Sequence, residues 1–231
     1  MDTSYQAIAF DLDGVLIDSH TLHIKAWTLA LKQYNVVSDE AQLHESAGQT
    51  SVSFATRLKT RYGAQIPVSA EDFAEQKRTL FAHLSETELM PVIGADELLN
   101  TLASQVPIGL CTMATRERTE SILQQFGWTQ LFDVILSAEQ VQKPKPDPSI
   151  YNCFHTQLGI MPENILAFED TPLGVEAVVN SGMQAVGVTT TYSAEELLHK
   201  GAIGTVVNLT RKECQLILKT YLKPSSRECG V

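Results

Sequence analysis

Cysteine is scarce in this 231-residue chain. None of the four, Cys111, Cys153, Cys214 and Cys229, stands in C-x-x-C spacing or beside a histidine cluster. A zinc site or a disulfide framework is therefore not expected; reduced thiols of a cytoplasmic protein are. Met1 to Ala7 contains no basic segment leading into an apolar run, so no signal peptide is expected. No apolar stretch reaches the roughly 20 residues that cross a bilayer. Cys229, third from the end, is in the wrong place for prenylation. Cations are scarce too: 17 Lys and Arg against 27 Asp and Glu, a formal net charge of −10. Such a surface repels nucleic-acid backbones and anionic membranes. The expected partner is a small molecule, which a few local cations or a metal could still receive if it is anionic.

What the sequence does contain is a series of short apolar runs, each ending in a polar residue. Ala7–Phe10 is followed at once by Asp11. Val106–Cys111 ends at Thr112, Val134–Leu136 at Ser137, Asn164–Phe168 at Glu169 and Asp170, and Gln184–Val188 at Thr189. Continuous apolar runs of this length suit strands covered on both faces. Helical patterns alternate with them at Glu117–Phe126, Ile150–Gly159 and Leu173–Ser181, with Gly127 and Gly182 as stop signals. The alternation predicts an α/β fold with a doubly wound parallel sheet. Residues 19–90 break this rhythm. Four helical stretches fit there, Leu22–Tyr34, Asp39–Ala47, Ser51–Tyr62 and Ala70–Glu86, and no strand does. The expected organisation is an α/β core over 1–18 and 91–223, an inserted all-helical cap over 19–90, and a disordered polar tail over 224–231. Hinges are expected near Asp18-Ser19 and Met90-Pro91. No interface stripe is legible, so a monomer or weak homodimer is expected.

Ligands of an open parallel sheet bind beyond the carboxyl ends of its strands. Those ends would deliver Asp11, Asp13, Thr112, Glu169 and Asp170 to one edge. Carboxylates crowded together need a cation, and an all-oxygen set favours Mg²⁺ ahead of Ca²⁺ or Mn²⁺. Lys143 is read as a second cation, aimed by the proline-stiffened run Gln142-Lys143-Pro144-Lys145-Pro146-Asp147-Pro148; Lys145 is expected at the surface. These parts suit attack by a carboxylate on a phosphate ester, whose charge a metal and a lysine must neutralise. The Thr112 hydroxyl and the amides of Met113 and Ala114 could donate to phosphoryl oxygens. Asp13 lies two residues past Asp11, on the same side of an extended segment. There it can protonate the leaving oxygen and then accept a proton from water.

Asp11-Leu12-Asp13-Gly14-Val15-Leu16-Ile17-Asp18-Ser19 resembles the opening signature of the haloacid dehalogenase superfamily. Thr112, Lys143-Pro144 and Phe168-Glu169-Asp170-Thr171 match its other three signatures in order, and Gly174-Val175-Glu176-Ala177 and Ser181-Gly182-Met183 also fit. Residues 19–90 resemble the helical cap of the β-phosphoglucomutase-like branch, in which His23 and Trp27 also have counterparts. The resemblance implies Asp11 as nucleophile and Asp13 as general acid/base. It implies Mg²⁺ held by Asp11, the Asp13 backbone carbonyl and Asp170, with Glu169 close by, and a phosphoryl group bound by Thr112 and Lys143. His23, Ser51 and Lys77 are the candidate substrate contacts of the cap.

The resemblance also frames the choice of reaction. Asp13 argues for phosphoryl chemistry over halide displacement. A phosphohexomutase of this branch needs a cationic grip on a second phosphate, supplied by an Arg after a Gly-x-Ser-like turn. Here Gly48-Gln49-Thr50-Ser51 puts Ser51 at that place, and the mutase's Ser and Lys after the second strand become Ala114 and Thr115. The expected function is therefore a Mg²⁺-dependent phosphatase of a small sugar or polyol phosphate, acting through an aspartyl-phosphate. A β-phosphoglucomutase-type mutase is the alternative. A non-catalytic regulator that binds phosphometabolites is disfavoured, because it would need no nucleophile.

Overall fold

The computed structural model describes residues 5–46 and 50–214, without the side chain of Glu40. The chain divides into two compact units, Met1–Ile17 with Pro91–Val231, and Asp18–Met90. The first unit carries six strands: β1 (Ala7–Phe10), β2 (Ile108–Cys111), β3 (Val134–Leu136), β4 (Ile165–Glu169), β5 (Gln184–Val188) and β6 (Gly204–Val206). They form one parallel sheet in the order β3-β2-β1-β4-β5-β6. Every residue of β1, β2 and β4 is buried, as both-face coverage requires. The doubly wound expectation is thus borne out.

Five strands follow the apolar runs closely. β2 starts at Ile108 and not at Val106, because Pro107 has no N–H to give; its carbonyl instead accepts the Ile8 amide at 3.1 Å. The sixth strand escaped the sequence reading. It has three residues, begins at a glycine and is fully buried only at Val206, so it leaves no apolar run to detect.

The helices are α1 (His20–Lys32), α2 (Glu40–His44), α3 (Ser51–Tyr62), α4 (Ala70–Glu88), α5 (Ala95–Ala103), α6 (Arg116–Gln125), α7 (Ser149–Leu158), α8 (Pro172–Asn180) and α9 (Ala194–His199). Local chemistry sets their ends. The Thr115 side chain caps α6 by accepting from the Arg118 amide. Thr171 caps α8 by accepting from the Gly174 amide, with Pro172 in the first turn. α7 stops at Gly159, which adopts the left-handed conformation at φ 65°. The short α5 and α9 were not anticipated.

The second unit consists of α1 to α4 around its own core of Trp27, Phe54 and Phe73, whose rings approach at 5.2 and 5.5 Å from Trp27. Lys77 is buried in this unit, with its ammonium 2.6 Å from His23 Nδ1 and over the rings of Trp27 and Phe81. Ser51 opens α3, which Thr50 caps through the Ser53 amide at 3.2 Å. Helix α2 ends at His44, short of the expected end. Ala47, Gly48, Gln49, Cys229 and the expected tail over 224–231 lie outside the described residues. Among the described residues, no helix is long and apolar enough to cross a membrane.

Candidate active site

The strand order reverses between β1 and β4, the topological switch point where open α/β sheets bind ligands. Register then decides which side chains meet there. Phe10 lies opposite Leu110 on one side and Phe168 on the other, and the Phe10 and Phe168 rings stack at 5.1 Å. The next residue of each strand, Asp11, Cys111 and Glu169, therefore falls level, with Thr112 and Asp170 one step further out. Asp11, Thr112, Glu169 and Asp170 are all buried.

The lysine in this cluster is Lys145, not Lys143. Its side chain is 8% exposed, whereas that of Lys143 is 75% exposed and lies 3.9 Å from Asp147. The Lys145 ammonium donates to Asp11 Oδ1 at 2.6 Å, Glu169 Oε1 at 2.6 Å and the Cys111 carbonyl at 3.0 Å. That uses all three of its N–H bonds. The prolines stiffen the loop as expected, but stiffness has no direction. The two lysines are two residues apart, and only the tertiary path tells which one faces inward. Asp147 fixes that path at the start of α7 by accepting from the Ser149 amide at 3.0 Å.

Tyr151, on α7, places its ring 5.2 Å from the Lys145 ammonium and donates its hydroxyl to Glu169 Oε1. The other Glu169 oxygen faces Gly174, where a Cβ would lie 1.9 Å from Oε2. Glu169 therefore holds Lys145 in place as well as contributing charge.

Electrostatics show what the cluster lacks. Asp11, Glu169 and Asp170 bring three carboxylates and Lys145 one ammonium. Burial pushes Asp11 up to about 7; Lys145 opposes that shift, and Glu169 and Asp13 add to it. Asp170 is raised well above the usual carboxylate range, first by burial and then by the charges of Asp11 and Glu169. Burial works against the charge on Lys145, yet the two carboxylates outweigh it and hold its pKa above lysine's usual value. One carboxylate oxygen from each of Asp11, Glu169 and Asp170 lies within 4.8 Å of the others. Buried, oxygen-only and short of positive charge, this set fits a hard divalent cation.

Gly14 forms part of the same wall. It adopts φ +75°, and a Cβ there would lie 1.9 Å from Asp170 Oδ2 and 2.9 Å from Thr191 Oγ1. Gly14→Ala is expected to lower turnover by about 10²-fold or more through displacement of Asp170. The circular dichroism spectrum should stay native-like, and any binding of a divalent cation measured by titration calorimetry should weaken.

Thr112 reaches the site, and its oxygen accepts the Ala114 amide at 3.0 Å. That bond leaves the Thr112 hydroxyl hydrogen for an incoming anion. It also corrects the expectation for Ala114, whose amide is committed within the loop. Met113 is partly buried and its side chain packs on the core of the sheet. Asp13 is held by a residue the sequence reading missed: Arg118 Nη1 and Nη2 lie 2.5 and 2.6 Å from its two oxygens. Arg118 sits 105 positions away, on α6, so no spacing could have paired the two. His23, Ser51 and Lys77 belong to the second unit.

Known proteins resemble this chain over most of its length. Residues 8–188 match the family model of the haloacid dehalogenase-like hydrolases. The chain is 31% identical over 194 residues to validoxylamine A 7'-phosphate phosphatase of Streptomyces hygroscopicus subsp. limoneus, covering 84% of this chain and 90% of that one. It is 29% identical over 215 residues to the phosphorylated carbohydrates phosphatase of Thermotoga maritima, covering 87% and 94%. A crystal structure of a haloacid dehalogenase family hydrolase from Deinococcus radiodurans R1, with bound phosphate and sodium, superposes with a TM-score of 0.78 at 26% identity, covering 97% of this chain and all of that one. With its Asp11 signature on the central strand and its match over most of the chain, this protein belongs to the haloacid dehalogenase-like hydrolases.

Proposed function

We propose that the protein is a Mg²⁺-dependent phosphatase that hydrolyses a small sugar or polyol phosphate through a phospho-Asp11 intermediate. The observation that carries this reading is a buried carboxylate at the sheet's switch point, bonded to a buried lysine and with the buried Asp170 one step further out. Asp11 and Asp170, with the Asp13 backbone carbonyl, would hold the ion, and Glu169 would anchor Lys145 beside them. When bound, the ion would neutralise phosphoryl charge and favour the ionised Asp11 that attack requires.

An Asp11 oxygen attacks phosphorus, and the phosphorus–oxygen bond to the leaving group breaks. Asp13 gives its proton to that oxygen, and the free alcohol departs. Water then attacks the phospho-aspartate, its proton passes to Asp13, and inorganic phosphate leaves with Asp11 restored. Lys145 and the Thr112 hydroxyl stabilise charge on the phosphoryl oxygens in both steps.

Carbohydrate and polyol phosphates are favoured as substrates because one relative is named a phosphorylated carbohydrates phosphatase and another a validoxylamine A 7'-phosphate phosphatase. We further propose a cytoplasmic monomer or weak homodimer with no nucleic-acid or membrane partner. The formal charge of −10 supports the absence of polyanionic partners.

The test is phosphate release from a panel of sugar, polyol and nucleotide monophosphates, with Mg²⁺ and after removal of metal with EDTA. Release that disappears with EDTA and returns with Mg²⁺ is expected. Conversion of hexose 1-phosphate into hexose 6-phosphate without phosphate release would replace this reading with a mutase.

A further inference from the structure

Asp13 is gripped from α6. Arg118 grips both oxygens of the Asp13 carboxylate in a bidentate pair at 2.5 and 2.6 Å, with side chains 28% and 32% exposed. A single-point contact would leave the carboxylate free to rotate about its Cβ–Cγ bond. Two parallel N–H···O bonds from a planar guanidinium fix its plane as well as its place. Arg118 is itself well fixed. It stands in the first turn of α6, and its amide is received by the Thr115 cap. The following Thr119 is fully buried and bonds the Thr115 carbonyl at 2.9 Å. The loop that carries Thr112 leads directly into this helix, so one segment supplies both a donor to the phosphoryl group and the grip on Asp13.

We propose that Arg118 is a positioning residue for proton transfer by Asp13. It sets the orientation of that carboxyl group towards the leaving oxygen and does not itself contact the phosphoryl group. This rests on the phosphatase reading given above. The consequence is a dependence on the leaving group. An alkoxide must be protonated as it departs, whereas p-nitrophenolate can leave without a proton. In a reaction that passes through a phospho-enzyme, kcat/KM reports only the steps up to loss of the leaving group, so it isolates this proton transfer from the later attack by water.

The experiment measures kcat/KM for the best alkyl phosphate and for p-nitrophenyl phosphate in the native protein, Arg118→Gln, Asp13→Asn and the double variant, with Mg²⁺ present. Arg118→Gln is expected to lower the alkyl value by about 10²-fold, the scale of one positioned acid, and the p-nitrophenyl value by less than about threefold. The double variant should be no slower on the alkyl ester than Asp13→Asn alone. Equal losses on both esters would make Arg118 a structural residue and overturn the proposal. Multiplying losses in the double variant would do so as well, since Arg118 would then act apart from Asp13. If the native protein releases no Mg²⁺-dependent phosphate from either ester, it is the phosphatase reading that fails, and the inference goes with it.

Discussion

Asp11→Asn is expected to abolish phosphate release from every monoester while leaving the fold intact. The amide keeps the shape of the side chain, but it is neutral and cannot form the phospho-carboxylate. Turnover should fall to background, because an enzyme that passes through a covalent intermediate has no parallel route once its nucleophile is gone. The stability effect should be mild. Burial raises the Asp11 pKa to about 7 in spite of the attraction of Lys145, with Glu169 and Asp13 adding to the shift, so a neutral replacement removes a buried charge that is costly to hold. Lys145 keeps Glu169 as a partner at 2.6 Å. The metal-free melting temperature of Asp11→Asn should match or exceed that of the native protein. Residual Mg²⁺-dependent turnover above background would show that another group attacks phosphorus.

The second large effect separates two lysines. Lys145→Met is expected to lower kcat/KM by about 10²–10³-fold, the usual cost of removing one preorganised charge donor. It should also destabilise the metal-free protein by about 3–5 kcal/mol, because it leaves Asp11 and Glu169 buried without their shared cation. Lys143→Met should change neither activity nor melting temperature appreciably, since its side chain is 75% exposed and its contact with Asp147 is a solvated one at 3.9 Å. Steady-state kinetics and thermal melts on the two variants in parallel decide the matter. A large loss in Lys143→Met with a small one in Lys145→Met would mean that the loop reverses its two lysines when substrate binds.

These contrasts mark where sequence reasoning reaches and where it stops. The parallel sheet was legible because a strand covered on both faces must be apolar along its length, and the runs at Ala7, Ile108, Val134, Ile165 and Gln184 carry that mark. The edge strand at Gly204 carries no such mark, because it has little surface to bury. Asp11 and Asp170 were legible for the same reason as the sheet: each directly follows a fully apolar strand or its last residue, so strand direction alone sends them to one edge. Family membership was legible in the order of those signatures along the chain and is borne out over residues 8–188.

Tertiary structure alone decided the rest. It turned Lys145 inward where the sequence favoured Lys143, because a side chain two residues along a proline-rich loop can face either way until the loop is anchored, here by Asp147 and α7. It gave Glu169 the task of holding Lys145 through a bond shared with Tyr151, and it turned the Ala114 amide into the loop. It joined Arg118 to Asp13 across 105 residues. What the sequence by itself determined is local: which segments are strands, and which residue types end them. Which side chains share a hydrogen bond is a property of packing between distant segments, and periodicity along a single chain cannot encode it.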